Sequence, residues 1–211
     1  MSDYIRTNSG VRFYPLNPDP QGILIEDIAH ALSLLCRGNG HVKVFFSVGQ
    51  HCIHCAKEAE QRGYSTRLIL ACLLHDASEA YLSDITRPVK QHLQDYCRYE
   101  EHLLEVIYKK FLGSPLSQEE QKLVKIIDDD MLYYDLRDLL NEFVNKSGND
   151  SVGELVNKSV SGQEPKTAPI MYSSFSYKER PFKEVEEEYL SLFRKYSDAL
   201  LQESEKIKGI L

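Results

Sequence analysis

The sequence predicts an all-α protein, a bundle of amphipathic helices around one core, and three observations lead there. Apolar residues recur with helical spacing through most of the chain, where strands would show strict alternation. Helix-start signals precede several of these stretches, among them Ser117 with Glu120 three residues later. A chain of 211 residues with 42% hydrophobic content can bury a sizeable core, so one domain with extensions is expected rather than two.

Residues 1–24 read as a loop-like lead, with Asn17-Pro18-Asp19-Pro20 rich in turn formers and a small β-hairpin around 10–16. Helices are expected over 25–36, 47–61, 66–75, 87–111 and 117–145, which together make a core spanning 25–145. Thr66, after Gly63-Tyr64-Ser65, is the expected N-cap of the third helix, and Ser117 with Glu120 forms a capping box before the fifth. Residues 146–181 read as a polar excursion; 147–169, rich in Ser, Gly and Asn, suggest a long disordered loop. The last stretch, 182–211, places Val185, Tyr189, Leu192, Phe193 and Tyr196 on one helical face and Glu186, Glu187, Glu188 and Lys195 on the other. That pattern suits a helix packing on the core of the same domain, or a dimer surface.

His75 and Asp76 carry the most chemical information. An apolar run from Leu68 to Leu74 ends in this pair, where a core helix would ordinarily offer another aliphatic residue. Imidazole nitrogen and carboxylate oxygen suit borderline and hard divalent cations, whereas thiolates would favour zinc or softer ions. Adjacent helical residues point about 100° apart, so one ion gripped by both needs ligands from other segments. Taken alone, a His-Asp pair reads more simply as a hydrogen-bonded histidine beside a capping aspartate. Two other segments change that balance: Ser47-Val48-Gly49-Gln50-His51 opens an amphipathic helix, and Leu123 to Ile127 closes on Asp128.

With these residues in place, the chain resembles the HD-domain metal-dependent phosphohydrolases, and within them the bacterial 5'-deoxynucleotidases and similar bacterial and phage hydrolases. The resemblance rests on Arg37, on Ser47 to His51, on His75-Asp76-Ala77-Ser78-Glu79, on Asp84 to Lys90 and on Val124 to Asp128, and covers most of residues 9–140. It implies an HD-domain helical bundle. It also implies that His51, His75, Asp76 and Asp128 hold one divalent metal ion, whether Mn, Co, Fe, Ni, Zn or Mg. Glu79 becomes the general base, and the reaction is removal of the 5'-phosphate from (deoxy)nucleoside monophosphates by attack of a metal-bound water. A triphosphate hydrolase and a non-catalytic nucleotide-binding domain are the alternatives.

Arg37 matches the arginine that these nucleotidases place beside the substrate phosphate, where a guanidinium can bind through two parallel hydrogen bonds. Its local alternative is a charge at a helix C-terminus. Asp84 matches an aspartate facing the sugar, able to accept a hydrogen bond from a 3'-hydroxyl and to crowd out a 2'-hydroxyl; it is otherwise a turn former. Lys90, Arg87 and His41 are weaker candidates for the substrate pocket, the two cations being equally well read as solvated charges. His54 competes with His51, and Asp129 and Asp130 with Asp128, but the match to the family pattern selects His51 and Asp128. One departure stands out: similar proteins commonly carry Ala-Glu-His where this chain has Gly49-Gln50-His51, which alters a group expected to support the metal ligands.

The cysteines at 36, 52, 55, 72 and 97 read as reduced thiols. Cys52-Ile53-His54-Cys55 has the spacing of a metal or redox pair, but no second pair accompanies it. The formal charge of −7 argues against a nucleic-acid polymer as partner, while a small nucleotide can be met by one ion and a few local cations. No run of eighteen apolar residues and no basic-then-apolar start is present, so a cytoplasmic protein without membrane contact is expected. The resemblance suggests a homodimer.

Overall fold

A computed structural model describes residues 3–140 and 168–208. The protein is all-α with one small antiparallel hairpin: β1 (Ile5–Arg6), β2 (Arg12–Phe13), α1 (Ile25–Leu34), α2 (Val48–Gln61), α3 (Thr66–Leu74), α4 (Glu79–Leu82), α5 (Arg87–Lys90), α6 (Gln94–Leu112), α7 (Gln118–Leu140) and α8 (Phe182–Lys208). Two 3-10 turns, Pro20–Gly22 and Arg37–Gly40, join the early elements.

The central helix is α2, packed against α1, α3, α7 and α8. Its start is a full capping box: Ser47 Oγ accepts from Gln50 N at 3.1 Å, and Gln50 Oε1 accepts from Ser47 N at 3.2 Å. Gln50 Nε2 donates to the Lys178 carbonyl, so the side chain expected near the metal ligands instead ties the helix start to the segment before α8. Gly49 lies where α1, α2 and α8 meet; a Cβ there would sit 3.2 Å from the Leu32 backbone and from Val185 Cγ1. The apolar face of α8 is used within the chain: Val185, Tyr189, Phe193 and Tyr196 are buried, and Tyr189 donates to the Leu73 carbonyl at 2.8 Å.

Several local expectations need correction. The hairpin is displaced toward the N-terminus, pairing Ile5 with Phe13 and Arg6 with Arg12, because Gly10 sits in the turn at φ +86° rather than opening a strand. Ser65, not Thr66, caps α3: it holds extended backbone and accepts from Leu68 N, which leaves the Thr66 hydroxyl to bond Glu203. The helix expected over 87–111 is two helices. The chain tightens into i to i+3 bonds at His92 and Leu93, and Leu93 leaves helical backbone at ψ 71°. The fifth helix is described to Leu140; positions 141–145 and nearly all of the proposed loop at 147–169 lie outside the described residues. The lead at 1–24 is docked rather than loose where described. Ser9 bonds Asp27 through both its N–H and its hydroxyl, and Phe13 packs on Tyr81 at 4.3 Å between ring centres.

Candidate metal centre

Three helices deliver the four expected ligands to one point. His51 lies on the first turn of α2, His75 ends α3, Asp76 follows in the turn toward α4, and Asp128 sits midway along α7. His51 Nε2 lies 3.3 Å from His75 Nε2, 3.2 Å from Asp128 Oδ1 and 3.9 Å from Asp76 Oδ2. His75 Nε2 lies 3.2 Å from Asp76 Oδ2 and 3.7 Å from Asp128 Oδ1. Donors about 2.1 Å from a shared cation are separated by about 3.0 Å in cis octahedral geometry and about 3.4 Å in tetrahedral geometry. The observed spacings, 3.2–3.9 Å, begin within that range and extend beyond its upper end.

The tautomers are set from behind. His75 Nδ1 donates to the Cys72 carbonyl at 2.8 Å, and His51 Nδ1 donates to Asp135 Oδ2 at 2.9 Å. Both Nε2 lone pairs are therefore directed into the cluster, where they meet each other and two carboxylates. An assembly of acceptors at this spacing is stable only around a positive charge. Burial alone would lower both imidazole pKa values, and the Arg37 charge lowers His51 further. The neighbouring sulfur and carboxylates prevail, chiefly Cys55, Asp135 and Asp128 for His51 and Asp76 for His75, so both are raised well above the ordinary value. Asp76 and Asp128 are held below the usual carboxylate range by the same histidines, against the opposing effect of their burial. A cation there needs both Nε2 lone pairs, so its binding releases any proton those nitrogens hold.

Asp135 was not anticipated. It is 4% exposed, and Oδ2 also meets Arg37 at 3.2 Å while Arg37 reaches Asp76 at 3.4 Å. The one available signal was spacing: Asp135 is seven residues after Asp128, two turns along the same face of α7. Arg87, ranked low from sequence, binds Asp128 Oδ2 at 2.8 Å and Asp129 at 2.7 Å.

The other candidates divide clearly. Arg37 is nearly buried among carboxylates at the start of a Gly38-Asn39-Gly40 turn in which all three residues have positive φ. Asp84 accepts from the backbone N–H of Gly38 at 3.1 Å, locking this turn to the segment after α4. Glu79 is 6% exposed, its Oε2 has no hydrogen-bond partner among the described residues, and its carboxyl is pushed well up by burial and by Asp76 and Asp84. It stands on α4 rather than on the helix that carries His75. Lys90 is paired with Glu100 at 2.5 Å. His41 is exposed where the 3-10 turn ends, its N–H on the Gly38 carbonyl. His54 faces away into a cage of Phe46, Phe175 and Tyr177, its pKa lowered to about 4 by burial. Asp129 and Asp130 form ion pairs with Lys125 and Arg62 instead of joining the cluster.

A cavity of about 340 Å³ opens from His75, Asp76 and Asp128 between α6 and α7, lined also by Lys90, Glu100, Glu101, Glu105, Tyr108 and Lys125. Arg37, Glu79, Asp84 and His41 do not line it. All five cysteines are free thiols, as expected, but two of them stand beside the ligand cluster. Cys55 Sγ lies 3.4 Å from His51 Nε2, and Cys52 offers its sulfur within 4.8 Å of donor atoms of His75 and Asp76. The protein thus holds a group of His, Cys and Asp side chains able to bind a metal ion. No helix among the described residues is long and apolar enough to cross a membrane.

Over 136 residues the chain is 38% identical to the uncharacterized protein YfdR of Escherichia coli strain K12, a match spanning 64% of this chain and 72% of YfdR. Over 130 residues it is 35% identical to the uncharacterized protein RCAP_rcc00048 of Rhodobacter capsulatus, spanning 58% of this chain and 66% of that protein. No protein-family model matches the chain.

Proposed function

We propose, for a chain that belongs to the family of the uncharacterized Escherichia coli protein YfdR, the function of a metal-dependent phosphohydrolase of HD type that removes the 5'-phosphate from (deoxy)nucleoside monophosphates. The observation that carries this reading is the convergence of two Nε2 atoms and two carboxylates, with both Nδ1 atoms already engaged as donors. His51, His75, Asp76 and Asp128 would hold one divalent ion, which would supply Lewis acidity at the phosphoryl oxygens and lower the pKa of a bound water.

The chain's own residues account for the remaining steps. Arg37 is buried and permanently charged, and engagement of Asp76 by a cation would free the N–H group that now faces that carboxylate for a phosphate, while Asp135 keeps the guanidinium in place. Glu79 has a buried Oε2 without a hydrogen-bond partner among the described residues, and in its ionised form it would take a proton from water and return one to the leaving 5'-oxygen. Asp84, fixed through Gly38, is a stationary acceptor for a sugar hydroxyl.

The cavity favours a monophosphate over the triphosphate alternative. Because Arg37, Glu79 and Asp84 stand outside it, the cavity would take only the part of the substrate that projects beyond the ligand cluster, and there Glu100, Glu101 and Glu105 outnumber Lys90 and Lys125, both of which are already ion-paired. Such walls can accept hydrogen bonds from a sugar or base, whereas the added charges of a triphosphate would meet repulsion. The variant Glu79→Ala tests the reading: it is expected to keep its cation while losing phosphate release. Release at the wild-type rate would remove Glu79 from the chemistry, and loss of the cation as well would mean that it supports the fold of the site instead.

A further inference from the structure

The donor group has a second face. Cys55 follows His51 by four residues on α2, so the two side chains lie one turn apart on the same side of the helix. Cys55 Sγ is 3.4 Å from His51 Nε2, which is 3.3 Å from His75 Nε2, and the three donor atoms all lie within 4.8 Å of one another. A tetrahedral cation with bonds of about 2.05 Å to nitrogen and about 2.3 Å to sulfur separates two nitrogens by about 3.3 Å and a nitrogen from a sulfur by about 3.5 Å. Both match. Cys55 is 1% exposed, and neither it nor Cys52 lines the cavity that reaches His75, Asp76 and Asp128, so this set lies on the inner wall. Cys52, on the same helix, places a second sulfur beside His75 and Asp76.

We propose that His51, Cys55 and His75 form an inner site for a thiophilic divalent cation of the Zn or Cd class, sharing both imidazoles with the outer His and Asp set. Binding forms a metal–sulfur bond and releases the Cys55 thiol proton to solvent. Because both sets need the same two Nε2 lone pairs, only one is filled at a time. A thiophilic ion therefore competes with the hard ion on which the proposed hydrolysis depends, and the chain's response to metals is decided by softness. The inference rests on that functional reading only for the competition, not for the inner site itself.

The test uses the full chain, stripped of metal and kept reduced without oxygen, titrated with Cd²⁺ while ultraviolet thiolate-to-metal charge-transfer absorption is followed. The absorption is expected to rise to stoichiometric saturation, to vanish in Cys55→Ser and Cys55→Ala, and to persist in Cys97→Ser. Cd²⁺ bound without the absorption, or full absorption in folded Cys55 variants, overturns the inner site. Should neither variant fold by circular dichroism, cadmium NMR of the wild-type protein decides, since a nitrogen and oxygen shift excludes the thiolate. Mn²⁺ binding, followed by paramagnetic resonance, separates the two readings. Mn²⁺ bound with no cadmium–thiolate absorption removes the inner site and spares the nucleotidase, while the absorption without an Mn²⁺ site does the reverse.

Discussion

Replacing Asp135 by asparagine isolates the support behind the candidate metal centre. The carboxylate accepts from His51 Nδ1 at 2.9 Å and faces Arg37 at 3.2 Å, and its pKa is held low by those two cations despite burial. Asparagine keeps the shape and one acceptor but removes the charge. A hydrogen bond to a charged group contributes about 1.5–3 kcal/mol and a neutral one about 0.5–1.5, so the change costs about 1–1.5 kcal/mol in the basicity of His51 as a ligand. That corresponds to Mn²⁺ affinity weaker by about 5- to 13-fold. Asp135→Ala, which also frees the imidazole to rotate, should approach the roughly 100-fold upper range for groups that orient metal ligands. Calorimetric titration of metal-stripped protein measures both. Unchanged Mn²⁺ affinity in the two variants would refute the claim that Asp135 directs His51 Nε2 into the site.

Further outcomes follow from the same structure. Glu79 has a folded-state pKa well above its ordinary 4.5, so its favourable contribution is present below that value and is lost as pH rises toward the folded pKa. Glu79→Gln should therefore stabilise the metal-free protein at alkaline pH, by up to about 1.4 kcal/mol per pH unit above the ordinary value, and leave it unchanged near pH 4. Urea unfolding at several pH values shows the trend, and a gain independent of pH would exclude this cause. Gln50→Glu would set a carboxylate against the Lys178 carbonyl, and chemical denaturation should show a loss of about 1–3 kcal/mol. Tyr189→Phe removes the donor to the Leu73 carbonyl and should cost about 1 kcal/mol in the same assay. Cation binding to metal-free protein should release protons, measurable as a buffer-dependent heat; equal heats in buffers of different ionisation enthalpy would contradict protonated histidines at the site.

Three residues of the candidate cluster were legible because they stand where an apolar helical pattern breaks into chemistry: His75 and Asp76 after Leu74, Asp128 after Ile127. Asp135 was not, because it lies in a segment already dense with charge and tyrosine, where its direction depends on the position of α7 against α2. Cys55 was similarly hidden. Its four-residue spacing from His51 was readable, but which face of α2 meets α3 is a matter of packing. Helix interiors were legible from periodicity, whereas their ends were not. Ser65 and Thr66 are equally good caps by composition, and the break at 91–93 contains neither Gly nor Pro. Gly49 shows the reverse limit: a residue read as a departure from a pattern is explained by the Leu32 backbone and Val185 pressed against it.

The most direct measurement is phosphate release by metal-stripped protein from a panel of deoxy- and ribonucleoside mono- and triphosphates, with Mn²⁺, Co²⁺, Mg²⁺ or Zn²⁺ added back. The account predicts metal-dependent release from 5'-monophosphates, strongest with the harder ions and abolished in Asp76→Ala. Stoichiometric Mn²⁺ binding with no release from any nucleotide would contradict it.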